Sequence, residues 1–233
     1  MIWKKGGKLK AEIRKMVLDL GADVCGFANI DRFIDAPEGF HPCDRYRDCK
    51  SAIVIGFALP KGLFEVKSDL IYGHFNYLTT PEVDKLTMTA ARIIEDRYDG
   101  VAVPMPCDGP YDYWDSEKME GRGLISMKHA AVNAGIGSLG KNTLLLNAKF
   151  GNRLTIGVIL TNLELESDDY VQSICIDGCN LCIKNCPAQA IKEKSVIQKL
   201  CRNNAYRKTE RGFDTVACNQ CRTVCPMRFG ESD

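Results

Sequence analysis

The chain has 233 residues, a formal net charge of +1 and twelve cysteines, and 45% of its residues are hydrophobic. This length predicts one or two domains, and the balanced charge gives no general attraction to nucleic acid or anionic membranes, so neither is an expected partner. No apolar run is long enough for an export signal or for the roughly 18 residues of a membrane span. We therefore expect a cytoplasmic protein whose cysteines are metal ligands and free thiols.

The first quarter of the chain predicts a helix and two strands. Apolar residues at helical spacing predict an amphipathic helix over residues 8–20, and residues 22–30 follow with a strand pattern. Residues 41–50 are polar and turn-like. The run SAIVIGFAL, residues 51–59, is almost continuously apolar, which is typical of a strand buried on both faces of a layered α/β domain.

The next stretch contains a helix start. Residues 68–78 are aromatic-rich and fit no single pattern. Thr80 as N-cap and Pro81 at the first helical position predict a helix that begins there and ends near Gly100. A short strand is predicted over residues 101–105.

The middle of the chain predicts a loop, a helix and two strands. Residues 106–122 contain many turn formers without periodicity, which predicts a long irregular loop. Residues 124–134 predict a helix, and residues 143–146 and 153–161 predict strands. Residues 164–169 read as an acidic linker to the cysteine-rich tail.

A glycine-rich turn lies between the predicted helix and strand. Residues 134–143 read AGIGSLGKNT and contain both G-x-G-x-x-G and G-x4-G-K. A dinucleotide fingerprint must follow a strand and open a helix, and a phosphate loop needs Ser or Thr where Asn142 stands, so the context disfavours both. The glycines either permit a tight turn or form a backbone cradle for another cofactor. The cradle would comprise Gly135, Gly137, Gly140, Lys141, Asn142 and Thr143.

Eight cysteines form two spaced sets near the end of the chain, read as C-x3-C-x2-C-x3-C-P and C-x16-C-x2-C-x3-C-P. Both end in C-x2-C-x3-C-P, the tail of the ferredoxin run in which the fourth cysteine ligates the other cluster of a pair. The grouping that follows places Cys175, Cys179, Cys182 and Cys225 on one [4Fe–4S] cluster, and Cys186, Cys201, Cys218 and Cys221 on the other.

Zinc and disulfides are the competing interpretations of the two sets. Zinc ribbons would use C-x2-C pairs without the C-x3-C-P tails, and a disulfide scaffold would normally be shorter and secreted. The extra residue between Cys175 and Cys179 predicts a bulge at Gly178 with positive φ. Because the tail is too short and polar to form a core without metals, we expect an α/β core over residues 1–165 and a cluster domain over residues 166–233.

A family resemblance is carried by the runs HAAVNAGIGSLGKNTLLLNAKFGNRLTIGVILTNLEL, CNLCIKNCPAQAI and CNQCRTVCP. In these runs the chain resembles epoxyqueuosine reductases and the related corrinoid-dependent reductive dehalogenases, and weaker likeness extends to LGADVCGFA, CKSAIVIGFALP and residues 72–77. The resemblance implies a nitroreductase-like α/β (α+β) core that holds a cobalamin with its lower ligand detached. It also implies a small two-cluster bacterial ferredoxin-like domain that passes electrons to the cobalamin, whose reduced cobalt removes an oxygen or halogen from the substrate.

The chain departs from the family pattern at three places. The acidic residue thought to donate a proton in epoxyqueuosine reductases falls on Gly121, and their D-Y-H segment appears as Asn76-Tyr77-Leu78. Their helical-repeat region, which helps to hold tRNA, has no counterpart before Asp233. Tyr77 and Glu120 remain as candidate proton donors.

The predicted function is a cobalamin-dependent iron–sulfur reductase that acts on a small or modified substrate. Its external electron donor would be of the ferredoxin or flavodoxin type. One alternative is a non-catalytic electron carrier whose core docks to a redox partner. Another is an epoxyqueuosine reductase that needs a separate RNA-binding subunit.

Four cysteines lie outside the two sets. Cys25 falls in a strand pattern and is expected to be a small buried hydrophobe. Cys43, Cys49 and Cys107 could form a third metal site with His41, although their spacing fits no known pattern. Two other histidines, at positions 74 and 129, are expected to pack or to form hydrogen bonds.

Overall fold

The computed structural model describes residues 3–231 and is built around a four-stranded antiparallel sheet. The elements up to the last strand of this sheet are α1 (Trp3–Asp19), β1 (Val24–Asn29), α2 (Pro42–Arg45), β2 (Ser51–Ala58), α3 (Asp69–Tyr98), β3 (Ala102–Met105), β4 (Tyr111–Asp115), β5 (Glu120–Gly123), α4 (Met127–Asn133), β6 (Ser138–Leu139), β7 (Leu145–Leu146) and β8 (Leu154–Thr161). Residues 170–231, which we call the cysteine segment, contain α5 (Leu181–Lys184), β9 (Ile191–Lys192), β10 (Ser195–Val196), α6 (Gln198–Ala205), β11 (Tyr206–Lys208), β12 (Asp214–Val216) and α7 (Gln220–Thr223).

The central strands of the sheet are β2 and β8, in the order β1–β2–β8–β3. These two strands pair from Ser51 opposite Thr161 to Ala58 opposite Leu154. Six residues of β2 and seven of β8 are buried. Continuous apolar runs indicate strands that are covered on both faces, and the predictions for these two strands are confirmed.

Helices cover both faces of the sheet. On one face, α1 and α3 pack in a hydrophobic cluster that contains Ile13 and Ile94. On the other face, α4 contributes Ala130 and Ala131 to a second cluster. Burial of a large apolar side chain contributes about 1.5–3 kcal/mol, so these two layers hold the strand ends at fixed positions.

Helix α3 is longer than the sequence predicts. It begins at Asp69 and has Pro81 in its interior, so the prediction that a helix starts at Thr80 is wrong. The first half of α3 packs on β12, where a Cβ at Gly73 would come within 2.8 Å of the Val216 carbonyl oxygen. This tertiary packing outweighs the loss of one main-chain hydrogen bond at the proline.

A β-hairpin occupies the region predicted as an irregular loop. β4 and β5 pair antiparallel, with a register irregularity between Tyr111 and Tyr113 and a positive φ of 48° at Met119 in the turn. All five residues of β4 are at least partly exposed, so the strand shows no apolar alternation that a sequence pattern could reveal. The predicted loop over residues 106–122 is therefore wrong for most of its length.

The stretch predicted as an acidic linker is docked on the core. Leu165 is fully buried, and the Asp168 carboxylate lies 2.7 Å from Lys10 Nζ and accepts a hydrogen bond of 3.0 Å from the Phe27 amide. Burial would raise the pKa of Asp168, but its bonds to Arg14 and Lys10 lower that pKa overall. These contacts fix the start of the cysteine segment on the core.

The cysteine segment packs at the end of the sheet where β2 stops and β8 begins. Asn152 Nδ2 donates to the Arg222 carbonyl at 3.0 Å, and Val216 and Phe229 pack on a small cluster that contains Phe64 and Tyr72. The chain is therefore continuous in packing across the predicted domain boundary, and the division at residue 165 stays a prediction.

Within the described residues, no helix combines the length with the apolar character that a membrane crossing requires.

Candidate functional site

The eight cysteines of the two sets fall into two groups of four in space. Burial raises the pKa of the Cys225 thiol, and the thiols of Cys175, Cys182 and Cys179 raise it further. Burial likewise raises the pKa of Cys221 to about 11, where Arg222 opposes the shift and the thiols of Cys201, Cys218 and Cys186 add to it. The structure thus brings together the cysteines that the spacing groups, with Cys225 joining the first set and Cys186 the second.

Short helices present three of these eight thiols. Cys182 lies on α5, Cys201 on α6 and Cys221 on α7. Cys186 and Cys225 follow α5 and α7 directly, and each precedes a proline that fixes the turn. Gly178 has a φ of 73°, which confirms the predicted bulge in the first set.

The glycine-rich turn contacts both groups of cysteines. Lys141 Nζ donates to the Cys179 carbonyl at 2.9 Å and to Asn180 Oδ1 at 3.3 Å. Asn142, only 5% exposed, donates from Nδ2 to the Cys221 carbonyl at 3.1 Å. Gly140, Lys141 and Asn142 also line a narrow cleft of about 20 Å³ together with the four thiols of the first group.

The other residues of the turn serve close packing. A Cβ at Gly135, where φ is 66°, would overlap the Asp169 carbonyl, and a Cβ at Gly137 would overlap the Leu146 carbonyl. Thr143 has a φ of 61°, and its carbonyl accepts a hydrogen bond of 2.8 Å from Lys128 Nζ. The assignment of the whole turn as a cofactor cradle stays a prediction.

The two candidate proton donors lie in different surroundings. Tyr77, 73% exposed on α3, borders an open groove of about 810 Å³ between α3 and the β11–β12 hairpin. The groove is lined by Leu70, Gly73, His74, Tyr77, Tyr206, Arg207, Lys208, Thr209, Phe213, Asp214, Thr215 and Val216. Glu120 lies on β5, does not line this groove, and is paired with the guanidinium of Arg122 at 3.0 Å.

Sequence analysis missed three ionisable residues beside the second group of cysteines. Burial raises the pKa of Tyr72, Arg222 lowers it, and Cys221 raises it further. Lys128 is exposed as a whole residue, but nearby protein atoms displace water from around its ammonium group. This desolvation, followed by the charge of Arg222, lowers the pKa of Lys128, while Cys221 and Asp108 raise it.

The charge of Asp108 acts on Tyr206, a residue that lines the groove. Burial raises the pKa of Tyr206, Arg202 lowers it, and Tyr111, Asp108 and Cys201 add to the rise. Asp108 lies in a turn-rich stretch and Lys128 in the helix predicted over residues 124–134, so no local spacing could have identified them. Tyr72 lies in the weakly family-like stretch, which was its one sequence signal.

The remaining cysteines do not converge on a common site. Cys43 Sγ lies 3.6 Å from the Cys49 carbonyl, whereas the Cys107 amide bonds to Asp84 and the His41 side chain caps α2. Burial raises the pKa of Cys25 to about 12, which agrees with the expected buried thiol. Among the described residues, no three His, Cys, Asp or Glu side chains have the spacing of a single-ion site.

Comparison with known proteins confirms the resemblance. No family model matches the chain. The epoxyqueuosine reductase of Lactococcus garvieae is 26% identical to this chain over an alignment of 254 positions, gaps included. The alignment spans 95% of this chain and 70% of that protein. The solved structure of an epoxyqueuosine reductase with a modified tRNA stem loop superposes with a TM-score of 0.68 at 18% identity, over 97% of this chain and 67% of that one.

A second group of solved structures shares the fold. A catabolic reductive dehalogenase superposes with a TM-score of 0.71 at 17% identity, over 93% of this chain and 31% of that one. The mixed α/β fold with small sheets is therefore the fold of both groups of proteins. The chain matches most of its length to about two thirds of an epoxyqueuosine reductase and to about one third of a dehalogenase.

We expect Asn142→Ala to destabilise the protein by about 1–3 kcal/mol, because it leaves the buried Cys221 carbonyl without this donor. Thermal unfolding followed by circular dichroism measures the change. Asn203→Ala on α6, at an exposed position, is the matched control and should unfold like the wild type. Equal midpoints for the two variants would show that the turn does not hold the cysteine segment.

Proposed function

We propose that the chain is an iron–sulfur reductase in which two [4Fe–4S] clusters deliver electrons to a cobalamin, for reductive chemistry on a small or modified substrate. The observation that carries the proposal is the grouping of eight thiols into two sets of four, with the second set beside a large groove. The similarity to epoxyqueuosine reductases and dehalogenases supports it. In this reading residues 1–165 are a nitroreductase-like core and residues 166–233 a ferredoxin-like domain.

The donor atoms fit iron–sulfur clusters. Burial and the neighbouring thiols raise the pKa of Cys225 in the first group and of Cys221 in the second, and iron supplies the positive charge that stabilises thiolates. Lys141 contributes a further positive charge beside the first group, where its ammonium bonds to the Cys179 carbonyl. Each cluster, when bound, supplies one-electron chemistry at low potential.

The different surroundings of the two groups support a proposal for where electrons enter and where they leave. Ionisable side chains such as Tyr72 and Lys128 face Cys221 of the second group. The first group is bordered by Ile176, 46% exposed, and Leu181, 42% exposed. We propose that a ferredoxin or flavodoxin type donor approaches this exposed rim, and that electrons leave from the second cluster toward the groove.

The chemistry of the groove beside α3 supports binding of a large, flat cofactor. It offers aromatic faces from Tyr206 and Phe213, the positive charge of Arg207, and the ion pair of Lys208 with Asp214. Cobalamin, when bound, supplies a strongly reducing cobalt centre. Tyr206 also connects the groove to the second group, because the charges of its phenol and of the Cys201 thiol influence each other.

Tyr77 is the proposed proton donor. A phenol on the wall of the groove can pack against a cofactor and still donate its proton, and general acid catalysis contributes about 10²–10⁴-fold. Glu120 is outside the groove, and its carboxylate is paired with Arg122. The substrate is proposed to be small or modified, because the net charge of +1 gives no general attraction to tRNA.

We expect the anaerobically purified protein to contain about eight iron and eight sulfide per chain, because each group of four thiols holds one [4Fe–4S] cluster. Cys182→Ser should lose about half of the iron. Cys25→Ser, outside both groups, is the control and should lose none. About four iron per wild-type chain, or stoichiometric zinc, would refute the two-cluster proposal.

We expect cob(II)alamin to bind at micromolar concentration and to show the visible spectrum of the form with its lower base detached. Titration of the reconstituted protein measures this binding. Substituting Phe213→Asp should weaken it at least tenfold by placing a charge on an aromatic wall of the groove. A protein that holds both clusters but binds no cobalamin would instead be the electron carrier.

We expect Tyr77→Phe to lower turnover at least tenfold with cobalamin affinity unchanged, because only the hydroxyl proton is lost. Reduction of the identified substrate under single-turnover conditions measures the effect. Glu120→Gln is the matched control. Full activity in Tyr77→Phe together with loss of activity in Glu120→Gln would assign the role of proton donor to Glu120 on the β4–β5 hairpin instead.

A further inference from the structure

We propose that Gln198 and Arg202 are positioning residues that hold the β4–β5 hairpin against α6, so that ligation of Cys201 by the second cluster fixes the hairpin at the rim of the site. The inference rests on the proposed cluster at Cys201. It assigns a role to a hairpin and to two side chains that cluster ligation and proton donation do not use.

Gln198 clamps the backbone of Gly121. Its Oε1 accepts from the Gly121 amide at 3.0 Å, and its Nε2 donates to the Gly121 carbonyl at 3.1 Å. A side-chain amide that satisfies both groups of one residue substitutes for a third strand beside β5. This contact ties the hairpin to the first turn of α6.

Arg202 holds the other strand of the hairpin. It donates from one guanidinium nitrogen to the Tyr111 hydroxyl at 3.0 Å, and its Cζ lies 5.2 Å from the ring centres of both Tyr111 and Trp114. These two rings are stacked, with centroids 5.9 Å apart. The same guanidinium also lies 3.1 Å from Gln198 Oε1, so the two clamps support each other.

A third side chain of α6 reaches the turn of the hairpin. Lys199 Nζ donates to the Glu117 carbonyl at 2.8 Å. The side chains at positions 198, 199 and 202 therefore contact β5, the turn and β4, while Cys201 on the same helix faces the second group of thiols. One short helix thus connects the hairpin to a cluster ligand.

The coupling follows from the marginal stability of both partners. An isolated helix of eight residues is unstable in water, and so is an isolated two-stranded hairpin. Each needs an external anchor. A metal–thiolate bond at Cys201 anchors α6, and α6 then anchors the hairpin through Gln198 and Arg202.

The held hairpin lies beside Tyr206, which lines the groove. Arg202, whose guanidinium contacts the Tyr111 ring, also has its Cζ 5.8 Å from the ring centre of Tyr206. A Cβ at Gly121 would lie 3.1 Å from the Tyr111 ring, so the ring occupies the space that a side chain at position 121 would use. The clamp therefore places an aromatic wall, instead of an acidic side chain, at this edge of the site.

Hydrogen exchange of the reconstituted protein, with iron measured on the same samples, tests the proposal. In peptides that cover residues 111–123, Gln198→Ala and Arg202→Ala should each exchange at least tenfold faster than the wild type while iron content is unchanged. Arg211→Ala, an exposed substitution on the same segment, is the control and should leave exchange unaltered. Wild-type exchange in both clamp variants would overturn the positioning role.

Cys201→Ser tests the coupling to the cluster. This variant keeps both clamp residues, and it should lose about half of the iron and release the hairpin to the same degree. Loss of iron with a hairpin protected as in the wild type would overturn the coupling. A wild-type protein without iron would instead refute the proposed clusters, and the comparison of Gln198→Ala with wild type would still decide the clamp.

Discussion

Four thiols held in one partly buried site cannot all ionise unless a cation shares the site, and the rest of the cysteine segment depends on this constraint. Burial raises the pKa of Cys221 to about 11 and the neighbouring thiols add to the rise, so this thiol stays protonated near neutral pH without a cation. The segment has few buried apolar residues of its own, among them Ala190, Ile191 and Ala205. Its order must therefore come from contacts with the core, such as those of Lys141 and Asn142, and from the proposed metal ligation.

The core illustrates what the sequence can and cannot predict. β2 and β8 were predictable because strands buried on both faces require continuous apolar runs. The start of α3 was not, because Pro81 is a strong local stop, while the packing that overrides it involves β12, more than a hundred residues away in sequence. The β4–β5 hairpin could not be predicted for the same reason. Side chains of α6, distant in sequence, hold it in place, and its own residues show no alternation of apolar and polar side chains.

The candidate site likewise contains residues that the sequence predicts and residues that only the folded structure reveals. The grouping of the thiols was predictable because ligand spacing and the two prolines constrain local geometry directly. Gly140, Lys141 and Asn142 were found through their motif and lie at the first group of thiols. The motif did not reveal that Lys141 and Asn142 bond to the carbonyls of Cys179 and Cys221. Asp108 and Lys128 could not be found, because only the folded chain places them beside Cys221 or Tyr206.

Because each group takes its last-ligand cysteine from the other sequence set, the order of synthesis along the chain determines when each group is complete. Cys225 belongs with thiols that a ribosome produces much earlier, and Cys186 belongs with thiols that are produced later. Neither group is complete until Cys221 and Cys225 have been synthesised, so a nascent chain carries incomplete sets until those residues emerge. Contacts between distant parts of a chain also form slowly. The proposed clusters therefore cannot be fully ligated before that point, and the thiols must stay reduced until then.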